Sequence, residues 1–161
     1  MNRRFLIALG LLAPAVALGQ ALHPTGPQPE LPRAALSIVT GAGKTRVFHV
    51  EVARTEAQEV TGLMFRDHVA ADGGMLFLWK QPIISRMWMK NTLVPLDMVF
   101  IAANGRIDSI LTNTVPHSLR VLSSHGKVIA TLELAGGITA RLGITVGDKV
   151  VLPAGNGAAK G

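Results

Sequence analysis

Residues 87–100, MWMKNTLVPLDMVF, form an apolar run that stops for Lys90, Asn91, Thr92 and Asp97. An aromatic ring beside a lysine and an asparagine can bind a sugar or other polar ring, by stacking on the indole and through a few oriented hydrogen bonds. Trp88, Lys90 and Asn91 are therefore candidate ligand contacts, although a half-buried core tryptophan is the commoner fate of the residue type. Asp97 is the most informative single position. It heads a strand with apolar residues on both faces, so its carboxylate lies at the edge of the core. Burying it unpaired would be very costly. Lys90, Arg66 or Arg86 could partner it, as could backbone amides at a loop shaped by Pro95. Two roles stay open, a structural lock or a contact to ligand, because both structural ion pairs and functional sites use such charges. Thr92 has the usual turn role of bonding to its own backbone.

Two other chemistries draw on the same region. Met64, Met75, Met87, Met89 and Met98 fall within 35 residues. Thioethers are soft ligands suited to Cu(I), and Met87-x-Met89 would put two on one strand face. Filling irregular core space is the commoner use of methionine, and His68, His117 and His125 have no diagnostic ligand spacing. For hydrolysis of envelope sugars or peptidoglycan, the carboxylates to pair are Asp97 and Glu133. Glu133, between Leu132 and Leu134, reads equally as the solvent side of a strand. The sequence has no Gly-x-Ser-x-Gly, phosphate loop or His-Glu-x-x-His, and nothing in it calls for a cofactor.

The elements that must hold these residues are short and β-rich. Ala35–Thr40 and Thr45–Ala53 flank the turn Gly41-Ala42-Gly43-Lys44. In the second, Val47, His49 and Glu51 alternate with Phe48, Val50 and Val52, predicting one wet face and one core face. Thr55 and Gln58 make a capping box that opens a short helix at Glu56, and Gly62 ends it. Strands follow at Met75–Trp79, Met87–Lys90 and Leu96–Ala102. Asn104-Gly105 turns the last of these into a strand containing Ile107 and Ile110. Leu119–Leu122 and Val128–Leu134 are expected to form a hairpin around Ser124-His125-Gly126. A helical turn at Thr139–Leu142 ends at Gly143, and Asp148–Leu152 is a last strand. Strands punctuated this often predict a mostly β fold, a compact sandwich or small barrel with one or two short helices.

The chain ends frame that domain. Arg3 and Arg4, the apolar stretch Phe5–Leu18 and Gly19-Gln20-Ala21 have the three parts of a secretion signal, so residues 1–21 are expected to be removed and the protein to be periplasmic or secreted. The apolar stretch is too short and too interrupted for a membrane span. Residues 22–33 hold four prolines and read as an extended linker, residues 34–153 as one domain, and 154–161 as a flexible tail. With no cysteine, an exported domain must fold without disulfides. Removing Arg3 and Arg4 from 16 basic residues leaves 14 against 10 acidic ones, about +4, spread along the chain. No basic run interleaves with aromatics, which disfavours nucleic acid as a partner. A monomer without stable membrane insertion after signal cleavage is expected.

Five separated blocks resemble the Domain of Unknown Function 192 family in their order. They are Val50-Glu51-Val52-Ala53; Gly62-Leu63-Met64 with Arg66; Gly74-Met75-Leu76-Phe77; Trp88-Met89-Lys90-Asn91-Thr92 with Pro95-Leu96-Asp97; and Leu132-Glu133-Leu134 with Gly137. The resemblance spans about residues 46–151 and implies a compact β-rich fold. Where the family often shows an aromatic before the Trp-Met pair, this chain has Met87. The resemblance implies no reaction and no catalytic residue. The expectation is therefore a binding or accessory module for a polar or anionic envelope ligand, contacted by Arg66, Trp88, Lys90, Asn91 and Asp97. Cu(I) handling through Met87 and Met89, or hydrolysis through Asp97 and Glu133, are the alternatives.

Overall fold

The structure is a computed structural model that describes residues 23–153. The expected secretion signal and C-terminal tail lie outside the described residues. Seven strands form one sheet: β1 (Arg33–Val39), β2 (Thr45–Ala53), β3 (Gly74–Ile83), β5 (Leu96–Ala102), β6 (Ile107–Leu111), β8 (Val128–Ala135) and β9 (Lys149–Val151). Their spatial order is β6-β5-β8-β3-β2-β1-β9, and β4 (Arg86–Met87) and β7 (Leu122–Ser123) make a separate two-stranded ribbon. Neighbours run antiparallel except β2 and β3, which run parallel and are joined through helix α1 (Glu56–Thr61).

The sheet curls into a half-barrel whose edge strands are stitched together at one corner. Arg106 and Lys149 form a bridge, the Ile107 amide donates to the Asp148 carbonyl (3.0 Å), and the Val150 amide donates to the Gly105 carbonyl (2.8 Å). Residues from β1, β2, β3, β5, β6, β8 and β9 converge inside, including Ile38, Phe48, Leu76, Val99, Ile101, Leu132 and Val150, with Ile138 of helix α2 (Ile138–Leu142) closing one end. Alternation along the strands sends Met75, Phe77, Met98 and Phe100 to the outer face, where Leu63, Met89 and Leu96 join them in a second core. Neither face of the central strands is open to water, which is why β5 is buried over six of its seven residues.

Local chemistry sets most boundaries. Thr55 Oγ1 accepts from the Gln58 amide while the Gln58 side chain accepts from the Thr55 amide, the predicted capping box, and the Gly62 amide closes the helix on the Gln58 carbonyl. Two pairings differ from expectation. Residues 88–90 leave the strand after Met87: the Met89 amide bonds to the Ser118 carbonyl, and Asn91 turns the chain with φ of 54°. Leu122–Ser123 pairs with β4 rather than with β8. The Asp108 carboxylate takes the His125 and Gly126 amides, and the Ser124 amide bonds to the Ser85 carbonyl, drawing this loop toward β4.

The proline-rich segment has no regular structure from residue 23 to residue 32, yet it is pinned to the domain. The Gln28 side chain donates to the Gly62 carbonyl (2.8 Å), and the Leu31 amide donates to the Glu51 carboxylate (2.7 Å). Glu51 is consequently buried, not on the wet face that alternation assigned to it.

Candidate functional site

Asp97 resolves first. It is fully buried, and its oxygens accept from the amides of Asn113 (2.8 Å), Gly137 (2.8 Å) and Thr139 (2.9 Å) and from the Thr139 hydroxyl (2.6 Å). Four donors around one carboxylate replace its water shell without any cation, and each such bond to a charged group is worth about 1.5–3 kcal/mol. Asp97 ties the start of β5 to the loop after β6 and to the first turn of α2. That is the lock reading, made by backbone amides.

The expected Arg66–Asp97 pair does not form. Arg66 Nη2 sits 3.2 Å from Glu51 Oε2, both groups being largely buried, and the two line a small recess of about 110 Å³ under the proline-rich segment. The five sequence-predicted contacts are thus split into three places. Arg66 is at that recess, Asp97 is inside the fold, and Trp88 stands 46% exposed with the Lys90 ammonium 5.1 Å from its ring centroid. Asn91 serves the loop: its carbonyl accepts from the Phe65 amide, and its side-chain amide approaches the Met64 sulfur at 3.9 Å. Phe65 itself has φ of 62°, a left-handed conformation that a bulky residue rarely adopts, held by that cross-loop bond.

Trp88 marks a cleft of about 230 Å³ that the sequence reading did not find. One wall is the end of α1 and the turn after it, from Glu59 to Met64. Another is Phe77 and Trp79 of β3, and the third is Arg86, Met87, Trp88 and Thr92. Its floor includes Glu133, 5% exposed. Phe77 and Trp79 stack at 6.1 Å, and the Trp79 indole donates to Thr131 Oγ1 (3.3 Å), which also meets the Ser85 hydroxyl (2.9 Å). This polar chain fixes the ring that faces the cleft.

Glu133 is the unusual member. Register places it between Met75 of β3 and Met98 of β5, so neither flanking strand offers it a charge. Among the described residues it has no hydrogen bond or ion-pair partner. Burial alone pushes its carboxyl up to about 8. Glu59, at the rim, is raised more modestly, chiefly by burial. Reading Glu133 as the solvent side of a strand fails because α1, its following turn and residues 86–92 cover that face. A lone charge in the otherwise uncharged strand Val128–Ala135 was the signal available.

The alternatives meet specific geometry. Asp97 pairs across to Leu134 on the inner face and Glu133 to Met98 on the outer, so the two carboxylates lie on opposite faces of the sheet and cannot flank one bond. Met89 is fully buried with its sulfur 3.1 Å from the Thr114 hydroxyl, whereas Met87 lines the cleft, so the two thioethers are not presented together on one open face. No group of three His, Asp or Glu side chains that could hold a metal occurs among the described residues.

The profile of the Domain of Unknown Function 192 family, described as "Uncharacterized ACR", matches residues 37–152. The chain belongs to this family. Among solved structures, a candidate transcription regulator from Sinorhizobium meliloti 1021 is 40% identical over 77% of this chain and 96% of its own, with a TM-score of 0.74. A protein of unknown function from Novosphingobium aromaticivorans DSM 12444 is 38% identical over 84% of this chain and 94% of its own, with a TM-score of 0.73. No curated protein matches the chain. The family and these neighbours carry the fold and leave the activity unassigned.

Proposed function

We propose that this Domain of Unknown Function 192 member is an exported binding module whose ligand enters the cleft between Trp79, Trp88 and Glu133. The observation that carries the reading is the pairing of a buried carboxyl that has no protein partner with an opening walled by aromatic rings. Ligand sites have this composition, mostly apolar lining with a few convergent polar groups. The cleft lies below the roughly 300–1,000 Å³ of pockets that enclose drug-sized molecules. It suits a small ligand or one terminal group of a larger envelope component. Lys90, the cation expected from sequence to orient an anionic ligand, is not among the residues that line the cleft, and the polar, ring-bearing class is the one retained. The regulator description of the Sinorhizobium relative does not extend to this reading, because the basic residues here are scattered along the chain and no basic run interleaves with aromatics.

Trp79 and Trp88 are the only tryptophans in the chain and both line the cleft, so their indole signals report on it selectively. A fragment library of small polar ring compounds, screened by amide and indole NMR shifts, is expected to give hits that move both indoles together with Gly62 and Leu63. Hits confined to the Arg66–Glu51 recess, or dispersed over the surface, would overturn the assignment. Export predicts a mature protein that begins near residue 22 in the periplasm or medium, and mass spectrometry of the fractionated protein checks it.

A further inference from the structure

We infer that the cleft recognises an organic cation, a substituted ammonium group seated against Glu133 and the faces of Trp79 and Trp88. This deepens the binding role proposed above and rests on it. Glu133 is 5% exposed and its carboxyl has no hydrogen-bond or ion-pair partner among the described residues, which is an incomplete arrangement. In a site of low effective dielectric, an entering positive charge is its natural complement. The walls fit the rest of such a group, since indole faces attract cations through their quadrupoles and the Met64 and Met87 thioethers offer soft, polarisable contact to alkyl substituents. The protein already shows the affinity once, where the Lys90 ammonium rests over Trp88 at 5.1 Å.

The charges around Glu133 are few. Glu59 on α1 and Arg86 on β4 line the same cleft, Lys90 lies against the Trp88 ring, and Lys80 faces Glu59. On the strands that flank Glu133 the neighbours are Met75 and Met98, and Glu51 one strand further is occupied by Arg66. None of these charges contributes to the displaced titration of Glu133, which burial sets alone. The free protein therefore holds a proton on Glu133 at neutral pH, and a bound cation favours the ionised form. Binding releases that proton. Affinity for a cation must then rise with pH until about 8 and level off above it, by up to about tenfold per unit.

Choline and its uncharged isostere 3,3-dimethylbutanol, with benzyltrimethylammonium as a larger cation, separate the possibilities when titrated by tryptophan fluorescence and calorimetry from pH 6 to pH 9. The expected result is saturable binding of at least one cation, affinity rising across pH 6–8, release of close to one proton at pH 7, and at least tenfold weaker binding of the isostere. Glu133→Gln, which is isosteric with the protonated side chain and so compatible with the fold, is expected to remove both the pH dependence and the preference for charge. Equal binding of isostere and choline overturns the inference, as does failure of both cations. If neutral ring fragments still move the cleft indoles while both cations fail, the cation inference falls and the binding role stands. If no compound of either kind reaches the cleft, both fall together.

Discussion

Two buried carboxylates on neighbouring strands illustrate how surroundings divide one functional group into two roles. Asp97 is ringed by three amides and a hydroxyl of its own chain, so both of its oxygens are occupied. Asp97→Asn replaces one acceptor by an NH₂ that must face an N–H, so a loss of about 2–4 kcal/mol and a melting temperature lower by about 10 °C are expected in thermal unfolding. Glu133 has no such donors. Its folded carboxyl titrates near 8 against an ordinary value of 4.5, so between those limits the folded chain keeps a proton that the unfolded chain has lost. Stability is therefore lost as pH rises through this window, by up to about 1.4 kcal/mol per unit. Glu133→Gln should match wild type in melting temperature near pH 4, exceed it at pH 8, and show the flatter profile between; parallel profiles would contradict the assignment. The need of Asp97 for a partner was readable from the apolar run around it. Which groups would serve was not, because Asn113 reaches it from the loop after β6, and Gly137 and Thr139 from the start of α2, all distant in sequence.

Elements were legible where their determinants are local. The capping pair Thr55 and Gln58 and the terminator Gly62 place α1 without reference to the rest of the fold, the strand Thr45–Ala53 follows from its alternation, and Leu96–Ala102 follows from its apolar composition. The pairing of β7 with β4 was not legible, because it depends on Asp108 capturing amides 17 and 18 residues away. Alternation also assigns a residue to a face without saying whether another segment covers that face. Both Glu51 and Glu133 were misread for this reason, and the cleft was missed with them. Gly74 exposes a further dependence between strands. It has φ of 149°, and a Cβ there would be driven into the backbone carbonyl of Glu133. Gly74→Ala must push β3 and β8 apart under the cleft, at a cost of about 2–3 kcal/mol measurable by urea unfolding.

At the scale of the whole molecule, stability depends on closing the curl. Each edge strand has an open row of amides and carbonyls except where β6 meets β9, and Asp148 anchors that corner. Its carboxylate accepts from Gly41 and Thr145 (2.8 Å each), and its carbonyl accepts from Ile107. Asp148→Ala should cost about 1–3 kcal/mol. It should also speed hydrogen exchange selectively at Gly41, Thr145, Ile107 and Val150, leaving the amides of β5 and β8 protected.

The antiparallel pairing of β1 with β9 has one more consequence. Ser37 lies opposite Val151 and Val39 opposite Lys149, so the strand that opens the sheet and the strand that completes it run side by side in opposite directions. The domain's entry and exit points therefore emerge at the same end of the half-barrel, only a few residues of chain apart. A unit built this way can be spliced as a cassette into a surface loop of another protein, or have its ends joined and new ends cut at Asn104-Gly105, with little rearrangement of its core.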